Sequence, residues 1–321
     1  MRAALYRGVG PAREVLRVEE VDLPEPARGQ VRVGVRVSAV NPTDYKARSG
    51  AVPRLIDGFQ IPHHDGAGVI DAVGEGVDAG RIGERVWLWL AAGSRYGSAA
   101  EFCVVPAEQA VPLPDGCSFD LGASLGVPAM TAHHCLLTDG PISGTDVLVA
   151  GGAGAVGHFA IELAKRAGAR VVTTVSGPEK ARLAHQAGAD LVVNYHDPHA
   201  ADQIAAFASP LDRIVEVALG ANLELDLRLS GYGTTIVCYA ASGDDPVLPV
   251  RRFMTANVRM LFVLLYGVPR SSLRVAAADI TKALREDTLT ELPSQHFDLT
   301  DIAAAHEAAE HGAVGKVLVD L

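Results

Sequence analysis

Residues 146–157 read Asp146-Val-Leu-Val-Ala150-Gly151-Gly152-Ala153-Gly154-Ala155-Val156-Gly157, and this stretch decides the fold. Its first five residues form a compact apolar run ending at glycine, the pattern of a short buried strand. A G-x-G-x-x-G spacing follows, and residues 158–167 then place apolar residues at helical spacing. The β-branched run Arg170-Val-Val-Thr-Thr-Val175 comes next, within the length of a βαβ unit, and that context gives the glycines their meaning. Glycine lets the backbone turn tightly and approach a pyrophosphate, while the helix N-terminus supplies unpaired N–H groups and partial positive charge. Gly152, Ala153, Gly154, Ala155, Val156 and Gly157 are therefore candidate dinucleotide-binding residues. The plain alternative is a tight βα turn without a ligand.

Downstream, a helical segment at 178–187 leads to strand-like runs at 191–194, 213–217, 234–238 and 260–265. Strands alternating with helices predict an α/β fold with a doubly wound parallel sheet. Upstream, residues 31–37 alternate V-R-V-G-V-R-V, a half-buried strand, and 66–73, 85–90 and 100–105 are further short strand candidates. They predict a barrel-like or sandwich-like β-rich domain. Between the two regions, 120–137 has helical spacing interrupted by Pro128. The last fifty residues predict two helices, about 272–286 and 301–311, and a terminal strand at 316–320.

The residues after the second strand of the βαβ unit choose between dinucleotides. An NADH site places Asp or Glu there to bind the ribose hydroxyl. Here the sequence is Val175-Ser176-Gly177-Pro178-Glu179-Lys180-Ala181-Arg182. No acid occupies the strand end, Ser176 offers a hydroxyl, and Lys180 and Arg182 can meet a 2′-phosphate. A Lys-x-Arg pair on a helix can be an ordinary solvated face. Its coincidence with the missing acid favours NADPH.

The chain's 321 residues are 49% hydrophobic, enough to fill the roughly two domains that the length implies. The longest apolar stretch, residues 260–266, falls far short of the ~20 residues of a membrane span, and the N-terminus lacks a signal-peptide pattern. No membrane association and a cytoplasmic location are expected. The net charge of −10 argues against a nucleic-acid partner and leaves a small-molecule substrate as the expectation. Cys103, Cys117, Cys135 and Cys238 form no C-x-x-C pair and read as buried or half-buried free thiols.

Several ordered motifs carry a resemblance: Ala39-Val-Asn-Pro-Thr-Asp-Tyr-Lys-Ala-Arg-Ser-Gly50, His64-Asp-Gly-Ala-Gly-Val-Ile70, Gly83-Glu-Arg-Val86, Gly126-Val-Pro-Ala-Met-Thr-Ala132, the glycine turn, and Gly315-Lys-Val-Leu-Val319. Over essentially its whole length the chain resembles the medium-chain dehydrogenase/reductase superfamily, in particular its zinc-free quinone oxidoreductase (zeta-crystallin-like) branch. The resemblance implies a GroES-like β-rich catalytic domain, residues 1–122 and 267–321, and a Rossmann NADPH-binding domain, residues 123–266. It also implies a homodimer, which would cover the long apolar strand read at 259–266.

Zinc members of that superfamily hold their metal with a Cys, a His-Glu pair and a further ligand. The position matching the first Cys is Asn41, and His64-Asp65 supplies only two ligands where a catalytic zinc needs three. Cys135 and the His133-His134 pair lie near in sequence, but no metal ligand set is expected. Without zinc, hydrogen-bond donors must stabilise charge that develops on a quinone or enone oxygen. Asn41, Tyr45, Lys46 and Thr131 are the candidates, and the resemblance places Asn41 and Thr131 at the nicotinamide end. Many relatives carry a Tyr at the position of Lys46, so Tyr45 can equally be a packing residue. The resemblance puts Tyr195 beside the adenosine or phosphate portion; its alternative is a strand-end aromatic. His133-His134 reads as a polar helix face.

The leading functional expectation is hydride transfer from NADPH to a quinone or an α,β-unsaturated carbonyl. Alternatives are an enoyl-thioester reductase using Arg251-Arg252 or Arg270 for the carrier phosphate, a non-catalytic NADPH-binding protein, and a zinc alcohol dehydrogenase.

Overall fold

The computed structural model describes residues 1–241 and 245–321. Its strands in chain order are β1 (Arg2–Leu5), β2 (Arg17–Glu20), β3 (Gln30–Val40), β4 (Asp65–Val73), β5 (Arg85–Leu88), β6 (Phe102–Pro106), β7 (Ala110–Pro112), β8 (Asp146–Ala150), β9 (Arg170–Val175), β10 (Leu191–Asn194), β11 (Leu211–Glu216), β12 (Ser230–Cys238), β13 (Arg259–Phe262), β14 (Ser294–Asp298) and β15 (Lys316–Asp320). The chain forms two compact units, Met1–Val127 with Glu291–Leu321, and Pro128–Thr290.

The first unit is the GroES-like β-rich domain. Its larger sheet runs β14-β15-β3-β4-β5-β7, with β6 also paired to β3, and β1 pairs with β2. The alternation in β3 buries Val31, Val33 and Val35 against Ile70, Val86, Leu88 and Cys103. The strand outruns the predicted 31–37 because Ser38, Ala39 and Val40 are all buried, which ends the alternation without ending the strand. β14 was not legible at all: Ser-Gln-His-Phe-Asp is a polar, largely exposed edge strand parallel to β15. The segment after β3, for which the sequence predicted no element, is the helix Pro42–Ser49. Pro42 suits a first turn, where its missing N–H costs nothing. Asp44 Oδ2 accepts the Asn41 backbone N–H at 2.8 Å, and Gly50 (φ +89°) ends the helix.

The second unit is the Rossmann domain. Its six strands are all parallel in the order β10-β9-β8-β11-β12-β13, which is the 3-2-1-4-5-6 order of a doubly wound sheet. Leu148, Val172, Ile214 and Ile236 form its core with helix residues Ile204, Leu223 and Leu229. The helical region around Pro128 is two helices, Phe119–Ala123 and Gly126–Leu137; Pro128 falls in the first turn of the second and does not break it. The apolar strand read at 259–266 is shorter, because its partner β12 ends at Cys238, opposite Phe262. Residues Leu265–Gly267 then turn as a 3₁₀ helix.

The crossings between units fall at 127/128 and 290/291, whereas the sequence reading put them at 122/123 and 266/267. The difference lies mainly in helix Arg270–Arg285, which stays with the Rossmann unit. Asp279 on that helix pairs with Arg166 at 3.0 Å and with His133 at 3.2 Å. Among the described residues no helix is long and apolar enough to cross a membrane.

Candidate active site

In the Rossmann unit the glycine turn leaves the carboxyl end of β8. Gly151, outside the motif as read from sequence, makes the left-handed turn at φ +73°. A Cβ on Gly152 would sit 2.1 Å from Thr173 Oγ1, and one on Gly157 would sit 2.3 Å from the Gly151 carbonyl oxygen. Both glycines are thus demanded by close packing of turn, helix and sheet. Gly154 is different: it is exposed, and a Cβ there would meet only Gly151 O at 3.4 Å. It N-caps helix Ala155–Arg166 without a side-chain cap, so the first-turn N–H groups of Ala155, Val156 and Gly157 have no intrahelical acceptor. Ala153 is buried beneath the turn. An open crest over unpaired amides fits a dinucleotide pyrophosphate.

The neighbouring strand ends carry the rest of that site. Val175 on β9 lies opposite Asn194 on β10, and the Tyr195 N–H donates to Val175 O at 3.0 Å. Ser176 and Tyr195 therefore leave adjacent strands side by side, with the Tyr195 ring about half exposed. Lys180 and Arg182 follow on helix Pro178–Gln186. Arg182 donates to Gln186 Oε1 at 3.0 Å on its own helix, while Lys180 forms no ion pair among the described residues. The fold thus gathers Gly152 to Gly157, Ser176, Lys180, Arg182 and Tyr195 around the carboxyl ends of β8, β9 and β10. Around the carboxyl ends of β12 and β13 a pocket of about 350 Å³ is lined by Leu219, Cys238, Tyr239, Ala240, Phe262 and Leu264. Thr131 is also in this unit, buried on helix Gly126–Leu137.

Near this pocket, Asp226 is fully buried and close to Glu216. Glu216 accepts from Asn222 Nδ2 at 3.0 Å and from the Ala218 N–H. Burial, then the Glu216 charge, push Asp226 up to about 8, so Asp226 keeps its proton at neutral pH.

In the GroES-like unit Asn41 sits in a buried polar cluster. Its Nδ2 donates to Asp65 Oδ2 at 2.7 Å, and its Oδ1 accepts from Lys316 Nζ at 2.6 Å. Lys316 Nζ is 3.7 Å from Asp65 Oδ2, and Asp65 Oδ1 accepts the Val127 N–H at 2.8 Å. Strand register assembles this group. Val317 pairs with Val40 and Ala39 with Asp65, so the ends of β15, β3 and β4 converge. Burial lowers the Lys316 ammonium and raises Asp65, with each charge opposing the shift of the other. Burial also lifts Asp44 to about 7. Tyr45 and Lys46 lie half-buried on the adjoining helix, and burial raises the Tyr45 phenol.

The donor set at Asn41 does not fit a zinc ion. The amide is committed to Lys316 and Asp65, and an ammonium already stands beside the carboxylate. Among the described residues no group of three or more His, Cys, Asp or Glu is arranged to hold a metal. His133 is buried and pairs with Asp279, and half-buried His134 meets Thr138, so the polar helix face read from the sequence holds at most for His134. All four cysteines are free, three of them buried. Sequence reasoning missed Lys316, Asp44 and Gly151, and it weighed Asp65 only as a metal ligand. The one available signal was a lysine opening the apolar run Val317-Leu-Val319.

Comparison with known proteins adds relatives. The family described as "Alcohol dehydrogenase GroES-like domain" matches residues 27–115, and "Zinc-binding dehydrogenase" matches residues 155–282. The chain is 30% identical over 312 residues to a quinone oxidoreductase of Rattus norvegicus, covering 95% of this chain and 94% of that one. A solved NAD-dependent alcohol dehydrogenase superposes with TM-score 0.92 at 27% identity, covering all of both chains. A mycobacterial protein solved in complex with NADPH superposes with TM-score 0.86 at 29% identity, also covering all of both.

Proposed function

The chain belongs to the medium-chain dehydrogenase/reductase superfamily, in its quinone oxidoreductase branch, and from that premise we propose an NADPH-dependent reductase of quinones or α,β-unsaturated carbonyls that works without zinc. The observation that carries the cofactor choice is the end of β9. Ser176 stands where an NADH site needs a carboxylate, and Lys180 close by has no ion-pair partner among the described residues. The NADPH bound by the mycobacterial relative supports the same choice.

The bound nicotinamide would supply hydride from its C4. The protein's part is to position and to stabilise charge. Ala155, Val156 and Gly157 would present amides to the pyrophosphate, Lys180 and Arg182 would meet the 2′-phosphate, and Tyr195 would pack beside the adenosine portion. Asn41 and Thr131 would act at the nicotinamide end. Asn41 has one Nδ2 hydrogen uncommitted, and the Tyr45 hydroxyl and Lys46 ammonium are further donors for a charged acceptor oxygen. Conjugation in a quinone or enone spreads that charge, so hydrogen-bond donors of this kind can stabilise it without a metal.

Homodimerisation through β13 is part of this proposal. β13 is the outer strand of its sheet, and Phe262, Leu264, Val250 and Met254 are exposed along it and on helix Val250–Ala256. A cytoplasmic location agrees with four free cysteines.

The test is a fluorescence titration of NADPH against NADH, followed by NADPH oxidation with a panel of quinones and enones. Preferential NADPH binding that Lys180→Ala abolishes supports the cofactor reading. Equal or stronger NADH binding overturns it. Silence with every quinone and enone overturns the acceptor class.

A further inference from the structure

Lys316 donates to Asn41 Oδ1 at 2.6 Å but lies 3.7 Å from Asp65 Oδ2, so its short contact is to the amide and not to the opposite charge. An asparagine amide has two N–H donors and two acceptor lone pairs, and a half-turn exchanges the two ends with almost no change in shape. An ammonium can only donate and an ionised carboxylate can only accept. With Lys316 on one side and Asp65 on the other, one orientation of Asn41 satisfies both. One Nδ2 hydrogen is then left over in a defined direction.

The backbone fixes Lys316 as firmly as its side chain fixes Asn41. Its N–H donates to Pro293 O at 2.8 Å. Gly315 before it has φ +82°, and a Cβ there would lie 1.8 Å from that same oxygen. The pairing of Val317 with Val40 sets Lys316 across from Asn41. All three side chains of the cluster are buried, so water does not compete for the contacts that Lys316 and Asp65 make with the amide.

We infer that Lys316 is a positioning residue, which holds the Asn41 amide in the orientation that offers its free Nδ2 hydrogen to the oxygen of the hydride acceptor. This rests on the proposed role of Asn41 in acceptor reduction. Lys316 does not touch the acceptor in this scheme; it acts through Asn41. Its loss therefore lowers turnover and leaves cofactor binding, carried by the Rossmann unit, unchanged.

The test compares Lys316→Met, Lys316→Arg and the double variant Lys316→Met/Asp65→Asn, which avoids a lone buried carboxylate where the single change fails to fold. Readouts are NADPH affinity, kcat and KM with 9,10-phenanthrenequinone, and hydrogen exchange of the side-chain amides after selective ¹⁵N-asparagine labelling. The chain has only four asparagines, 41, 194, 222 and 257, so the Asn41 signal is assignable. The expected result is a tenfold or greater loss of kcat in the methionine variants, with NADPH affinity and KM within threefold. Arginine, still a pure donor, recovers most of the rate, and Asn41 amide exchange quickens at least tenfold without Lys316. A kcat within twofold of wild type in the methionine variants, or an arginine variant no better than methionine, overturns the inference. If the wild type reduces no acceptor, the functional reading fails. The amide exchange then decides alone, and an unchanged rate refutes the role of Lys316.

Discussion

Gly126 lies directly against the Asp65 carboxyl: a Cβ at Gly126 would stand 2.2 Å from Asp65 Oδ1, the oxygen that accepts the next N–H, of Val127, at 2.8 Å. The same Cβ would be 2.6 Å from the Leu88 carbonyl oxygen, so backbone as well as side chain blocks it. The absence of a side chain lets the start of helix Gly126–Leu137 reach Asp65. That N-terminus favours the ionised carboxylate, on which Asn41 depends.

Gly126→Ala is expected to destabilise the protein by about 1–3 kcal/mol, the usual range for overpacking a tight interior. Denaturant unfolding measures it. Gly154→Ala, where only Gly151 O at 3.4 Å is near, should leave stability within about 0.5 kcal/mol. Equal stability losses at the two sites would contradict the packing argument.

Acid should destabilise the GroES-like unit through buried histidines. His63 Nε2 and His306 Nε2 are 3.0 Å apart, and His63 Nδ1 meets Ser38 Oγ at 2.8 Å. Burial above all lowers both rings, His306 to about 3, so both are neutral when folded. The unfolded chain takes up protons below about 6.5 and the folded one does not. Their stabilising contribution is therefore complete above that pH and is lost as pH falls toward 3. Asp44, raised to about 7, works in the opposite sense, losing stability as pH rises from about 4 to 7. His306→Phe should flatten the acid limb of stability against pH by about 1.4 kcal/mol per pH unit below 6. An unchanged slope would show that His306 is protonated in the native state.

The contrast between Gly157 and Lys316 shows how much was legible in the sequence. The glycine turn, β8, β9 and β10 announce themselves because each signal lies within one short window: an apolar run, a glycine spacing, a helix start. The missing acid at Ser176 was readable for the same reason. Lys316 and Asn41 are 275 residues apart, and only strand register joins them. Helix Pro42–Ser49 was hidden because eight residues opened by Pro-Thr-Asp resemble a turn, and its capping Asp44 reads as loop chemistry. β14 was hidden because an exposed edge strand needs no alternation. Helix Arg270–Arg285 buries Leu273, Ile280 and Leu284 and pairs with Arg166, over a hundred residues away, and no local window of sequence shows which unit such a helix joins.

Asp226 offers an alkaline counterpart. Raised to about 8 by burial and by Glu216, it is protonated when folded and ionised when unfolded at neutral pH. Stability tied to that proton is present at low pH and is lost as pH rises through about 8. Asp226→Asn keeps a neutral side chain of the same shape beside Glu216 without the titration, so it should match wild type near pH 4 and exceed it by about 2 kcal/mol or more at pH 8. Thermal unfolding at the two pH values measures this. A variant less stable than wild type at pH 8 would mean that the native pair is ionised.

The end of β9 allows the cofactor reading to be inverted rather than merely weakened. Ser176 follows Val175, whose carbonyl is already held by the Tyr195 N–H, so the strand end is fixed and a new side chain there inherits a defined position. Ser176→Asp restores the carboxylate of an NADH site and repels a 2′-phosphate. NADPH affinity should fall at least tenfold while NADH affinity rises. Adding Lys180→Ala should reduce NADPH binding further and leave NADH binding unaffected, because only NADPH carries the phosphate that Lys180 meets. If Ser176→Asp weakens both dinucleotides equally, the substitution has damaged the turn rather than changed its selectivity. Selectivity would then have to reside in Arg182 or Tyr195, and those two positions become the ones to exchange.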